Sequence, residues 1–121
     1  AVAKGLLAIR SHVDVCDDRL LAVEALLHVK QRVAPYLDLQ LVAFPQDGLL
    51  RSPGALANLQ RALDLGVDVV GGIPHFERTM ADGAESVRLL AGQRVRRVRA
   101  RRSDGPVGRR GVRPRARRRA S

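Results

Sequence analysis

The sequence predicts an α/β domain over residues 1–90, built from parallel strands joined by helices. Three observations carry this. Short apolar runs alternate with stretches whose apolar residues recur at helical spacing, in the order β-α-β-α-β-α. Each unit takes about 30 residues, enough for a strand, a crossover helix and their turns. Prolines and glycines fall mostly at the joints between runs. Strands that all point the same way need such crossovers, because a tight turn only reverses the chain.

Residues 6–15 (LLAIRSHVDV) read as the first strand, apolar at the start and alternating afterwards. Asp17 is the expected cap of the next helix, since a carboxylate can accept the free N–H groups of a first turn. That helix is expected from Asp18 to about Ala34. Leu20, Val23 and Leu27, with Leu26, Val29 and Val33, fall on one stripe. Pro35 ends it, because the residue before a proline avoids helical angles.

Leu39 to Phe44 is the second strand, and Pro45 to Pro53 a loop with two prolines and a glycine. Ala55 to Leu65 is the second helix, with Leu56, Leu59 and Leu63 on one face and Gly66 placed for a left-handed cap. Val67 to Ile73 is the third strand, where Gly71-Gly72 implies close backbone approach. Pro74 to Glu77 is a loop, and a third helix runs from Gly83 to about Leu90. Three units are not a closed structure, since a complete (β/α)₈ barrel takes roughly 250 residues. A small open α/β sheet is the alternative, and either way two strand edges lie open.

Charge divides the chain. The net +10 of the 121 residues is the sum of two unlike parts. Residues 1–90 carry 9 Lys/Arg against 11 Asp/Glu, whereas residues 91–121 carry 13 Arg, no Lys and the single acid Asp104. The basic part has no apolar periodicity and is expected to be a disordered Arg-rich tail. Two readings of it stand. As a selected arm it binds nucleic-acid phosphates with strong salt dependence and, lacking aromatics, little sequence preference. As a product of frameshift near Leu90 it is what a GC-rich gene yields out of frame, rich in Arg, Gly, Ala, Val and Pro. The frameshift is the favoured expectation.

The single cysteine, Cys16, excludes an internal disulfide and fits a reducing, cytoplasmic setting. No apolar run reaches the ~18 residues of a membrane span. The start, AVAKGLLAIR, makes no convincing signal peptide. No membrane partner is expected.

Four blocks, in order, carry a resemblance. They are Ile9-Arg10-Ser11-His12-Val13-Asp14-Val15, then Glu24 to Leu27 leading into Val29 to Pro35, then Leu37 to Gly48 (LDLQLVAFPQDG), then Leu65 to Glu77 (LGVDVVGGIPHFE). Residues from about 5 to 90 so resemble the cytosine deaminase branch of the zinc amidohydrolase superfamily. The resemblance implies a partial (β/α)₈ TIM-type barrel, with the second to fourth βα units at residues 1–90.

The resemblance further implies hydrolytic deamination of cytosine or a related amino-heterocycle. A divalent metal (zinc or iron) activates the water that attacks the ring carbon. The family's ligands are His-x-His on the first strand, a His on the fifth and an Asp on the eighth, and a Glu in a His-Cys-Asp-Glu motif moves protons. None of these motifs occurs in this sequence. The chain on its own is therefore expected to be inactive and to hold no cofactor. One contact carries over: Gln46, whose amide offers a donor and an acceptor side by side to a ring N–C=O edge. Phe44 and Pro45 would shape the wall beside it.

Other candidates have plainer readings. Gln46 without the family turn is an ordinary loop glutamine. His12, Asp14 and His75 lie at strand ends, where a metal site is allowed, but ordering the loops by hydrogen bonding is the expectation. Cys16 lacks an indicated His and Asp or Asn partner for a nucleophile. His28 reads as an exposed or half-buried helix residue, and Asp17-Asp18 as a helix start, not an acid–base pair.

Overall fold

The computed structural model describes residues 2–93. The expected alternation is present. Strand β1 runs Ala8–Asp14, helix α1 Leu21–Val33, strand β2 Asp38–Phe44, helix α2 Ala55–Leu65, strand β3 Val69–Val70 and helix α3 Met80–Ala91. Single 3₁₀ turns occupy Val2–Lys4 and Pro74–Phe76. Of the tail expected to be disordered from residue 91, Ala91 instead closes α3 and Gly92 caps it, while residues 94–121 lie outside the described residues.

The strands form one parallel sheet in the order β1-β2-β3. Ala8 pairs with Asp38 and Asp14 with Phe44 at the two ends of the β1–β2 ladder, and Val42 pairs with Val69. Each crossover therefore moves one place in the same direction, and the sheet does not reverse. Successive side chains of a strand alternate between faces. Leu39, Leu41 and Ala43 of β2 join Val13, Val15, Val23, Leu59, Ala62, Leu63 and Val67 in one buried core, so α1 and α2 cover that face. Leu89 and Leu90 of α3 pack against the same cluster. The opposite face of β1, with Arg10, His12 and Asp14, stays exposed.

Local chemistry explains where the elements start and stop, and four expectations change. Asp17 does not cap α1. Its Oδ1 accepts from the Arg19 N–H and from Arg19 Nε, both at 3.2 Å. The cap position is Leu20, in the left-handed region at φ 52, with its side chain 1% exposed. Burying that leucine offsets the unusual backbone angle. Val29, expected on the buried stripe, is exposed.

β3 is two residues long instead of seven. It has one neighbour, so only one side of it can be bonded. Asp68 N–H still donates to Leu41 O and Gly71 N–H to Ala43 O. The close approach expected at Gly71-Gly72 is present. A Cβ on Gly71 would fall 2.6 Å from Val42 Cγ1, and one on Gly72 would fall 2.2 Å from Leu90 Cδ1.

α3 starts three residues earlier than expected because Thr79 caps it, its hydroxyl accepting from Asp82 N–H at 3.0 Å. α2 has the expected bounds, and Gly66 at φ 120 closes it by donating to Ala62 O and Leu63 O.

Candidate functional site

In a parallel sheet all strands deliver their following loops to one edge, and ligands of α/β proteins gather there. Here that edge carries the loop from Val15 to Leu20, the loop from Pro45 to Gly54 and the loop from Gly71 to Thr79. The middle loop holds Gln46. Two carboxylates tie it to its neighbours, one on each side.

Asp14, the last residue of β1, is the first tie. Its Oδ1 accepts from the Cys16 N–H at 3.0 Å and from the Gln46 N–H at 3.2 Å. Val15 N–H donates to Phe44 O beside it, carrying the ladder one step past β1. Pro45 is fully buried while Gln46 and Asp47 are exposed, so the turn roots itself in the core and presents its tip. Phe44 is half-buried, and its ring meets the His12 ring edge-on, with centroids 5.1 Å apart at 83°.

Glu77 is the second tie. It comes from the loop after β3, and its Oε1 accepts from Leu49 N–H at 2.6 Å and Leu50 N–H at 3.2 Å. Arg51 reaches back, donating from Nη1 to Phe76 O at 2.9 Å with its guanidinium 4.7 Å over the Phe76 ring.

Cys16 lies between the first two loops, its thiol 3.5 Å from the Ser52 hydroxyl. Burial raises the thiol above its ordinary range, and the Ser52 hydrogen bond opposes that in part. A thiol kept protonated is a poor nucleophile, in line with the plainer reading of Cys16.

The sequence candidates separate accordingly. Gln46, Asp14, Phe44 and His12 come together along the carboxyl ends of β1 and β2. His75 is exposed in its own 3₁₀ turn. Among the described residues no group of three or more His, Cys, Asp or Glu side chains could hold a metal ion, so His12, Asp14 and His75 form no such cluster. His28 is exposed on α1. Asp18 turns away from acid–base work, its Oδ1 accepting from the buried Asn58 Nδ2 at 2.8 Å. The two loop-tying roles were not legible in advance. A lone acid at or after a strand end, as Asp14 and Glu77 each are, carries no local signal for the N–H groups it will meet.

No protein-family model matches the chain. A 5-methylcytosine deaminase from Klebsiella pneumoniae, solved with 5-fluorocytosine, superposes with a TM-score of 0.69 and 50% identity, over 71% of this chain and 21% of that one. An N-isopropylammelide isopropylaminohydrolase from Burkholderia multivorans superposes with a TM-score of 0.67 and 36% identity, over 75% of this chain and 23% of that one. An N-isopropylammelide isopropyl amidohydrolase from Pseudomonas sp. (strain ADP) is 38% identical over 73 residues, 60% of this chain and 18% of its own length. The chain thus spans about a fifth of the length of these relatives. In sequence and in fold, it carries a segment of the cytosine deaminase-like branch of the amidohydrolase superfamily.

Proposed function

We propose that this chain is part of a metal-dependent amidohydrolase that removes the amino group from cytosine or a related amino-heterocycle, and that it supplies one substrate-binding wall. The observation that carries this is Gln46. It is exposed on a turn that is rooted by Pro45, tied to β1 through Asp14 and placed at the carboxyl edge of a parallel sheet. Its amide can donate to and accept from adjacent positions of a ring, a pairing that fixes orientation. The sequential strand order with helices on one face supports a barrel wall, since a barrel grows by repeated one-step crossovers.

In the proposed reaction water adds to the ring carbon bearing the amine, and ammonia leaves. A metal would activate that water, but the described residues offer no donor set for it. What this chain contributes is binding and orientation. Residues 1–90 act as the barrel part. The purified chain with zinc or iron is expected to release no ammonia from cytosine. Paired with a polypeptide carrying the missing strands it gains the activity, and Gln46→Ala in that pair raises KM by on the order of tenfold or more, the loss of about one or two hydrogen bonds. Deamination by the chain alone, or an unchanged KM in the variant, overturns this reading.

A second reading rests on the 13 Arg and single acid of residues 91–121. They would hold nucleic-acid phosphates by charge alone. Binding that disappears on deleting 91–121 and falls steeply with salt supports it; binding indifferent to both removes it.

A further inference from the structure

We propose that Glu77 is the positioning residue for Gln46: its carboxylate, carried by the loop after β3, fixes the return path of the loop after β2 and so the placement of the exposed Gln46 turn. The proposal rests on Gln46 being the ligand-contacting residue; the lock itself stands on geometry alone.

The loop has two ends to secure. Its outgoing end is held at Gln46 N–H by Asp14. Its return must turn the chain within a few residues and bring Leu49 into the core, where it is 4% exposed. Gly48 makes that turn at φ 90, with its N–H donating to Pro45 O at 3.0 Å. The next two N–H groups, of Leu49 and Leu50, are then outside any helix or strand. Backbone donors withdrawn from water need partners. Both converge on one oxygen, Glu77 Oε1.

The other oxygen shows how strongly that placement is imposed. Glu77 Oε2 is buried and has no hydrogen-bond partner among the described residues. A Cβ on Gly48 would come within 3.2 Å of it, so the glycine also makes room for the carboxylate. A carboxylate oxygen left without a partner is unfavourable. Its twin satisfies two backbone donors at once, which offsets that cost. Arg51 fastens the same pair of loops from the other side through Phe76. Loop after β2 and loop after β3 therefore move as one body, and Glu77 is the charged pin between them.

The test uses the whole 121-residue chain and backbone amide exchange followed by NMR. Leu49 and Leu50 amides are expected to exchange slowly in the parent chain. In Glu77→Ala they speed up by on the order of tenfold or more, while Leu41, Val42 and Ala43 keep their rates. Glu77→Gln keeps an acceptor oxygen and restores the protection, which a mere packing role would not require. In the pair with a polypeptide carrying the missing strands, Glu77→Ala raises KM for cytosine as Gln46→Ala does, and Glu77→Gln keeps the parent value. Equal exchange in Glu77→Ala, or no rescue by Glu77→Gln, overturns the proposal. Should Glu77→Ala fail to fold, the parent chain and Glu77→Gln still decide: fast exchange at Leu49 and Leu50 beside a protected Val42, in either protein, refutes it. If Gln46→Ala leaves KM for cytosine unchanged in the pair, the ligand role of Gln46 fails, while the exchange rates still judge the lock.

Discussion

The Asp14 carboxylate, at the end of one strand, accepts a hydrogen bond from the backbone N–H of Gln46, 32 residues away and just past the end of the neighbouring strand, at 3.2 Å. The same oxygen takes the Cys16 N–H. One side chain thus fixes where two loops leave the sheet. Asp14→Ala frees both N–H groups and is expected to cost about 1.5 kcal/mol, at the modest end for charged acceptors because the site is open to water. Asp14→Asn keeps an acceptor and retains most of that. Urea midpoints of the two variants, with limited proteolysis between residues 45 and 53, check the ordering.

Gly83 sits inside α3, where alanine would ordinarily add about 1 kcal/mol of helix propensity. The structure predicts the opposite sign. A Cβ there would stand 2.9 Å from the carbonyl oxygen of Pro74, a backbone atom that cannot swing aside. Overpacking of this kind costs about 1–3 kcal/mol, so the clash outweighs the propensity. Gly92, the cap residue of the same helix, has φ −77 and nothing closer than 3.5 Å to its Cβ position. Gly92→Ala is expected to be neutral. A Gly83→Ala chain with an unchanged or higher urea midpoint would refute the packing argument.

Asp68 lies at the other end of the sheet from Gln46. Its Oδ2 accepts from Lys30 of α1 and from the Leu41 N–H of β2 at 2.8 Å. Lys30→Met removes one partner of a partly exposed pair and is expected to cost under about 1 kcal/mol. Asp68→Ala also deprives a β2 N–H of its acceptor, and about 1–3 kcal/mol is expected. The order of the two midpoints is the test; equal losses would show that the ion pair, not the strand N–H, is the main bond.

Cys16 gives a pH prediction. Its thiol is raised from the ordinary value of 9.0 by burial. A raised value means less thiolate at any given pH, and the thiolate is what alkylates. Iodoacetamide should label Cys16 more slowly in the folded chain than in urea at pH 8, with the folded rate still climbing above pH 9. By the same sign the folded state favours the proton, so this group's contribution to stability is present below the unfolded thiol's range and is lost as pH rises through the folded one. Faster labelling in the folded chain would show an activated thiol instead.

Much of the fold was legible because it rests on periodicity. The bounds of α2 follow from Leu56, Leu59 and Leu63 at helical spacing and a glycine at the end. The turn at Phe44-Pro45-Gln46 follows from an apolar run meeting a proline. Caps were less legible. Asp17 had the right residue type beside α1, but Arg19 took its carboxylate and Leu20 took the cap. A cap is a competition among nearby donors, and sequence names the contestants without the outcome.

The order of strands and helices, the buried stripe of β2 and the exposed polar turn that carries Gln46 are written in the sequence, because each depends on residues close together along the chain. The packed fold, by contrast, selects which acids hold that turn. Asp14 reaches it across 32 residues and Glu77 reaches Leu49 across 28, and neither position differs locally from a solvated surface acid. It also decided that β3 keeps only Val69–Val70 as strand, since that length depends on how much of β2 faces it. Contacts between distant segments are set by how strands and helices stack, and that packing is a property of the whole core, which no local stretch of sequence contains.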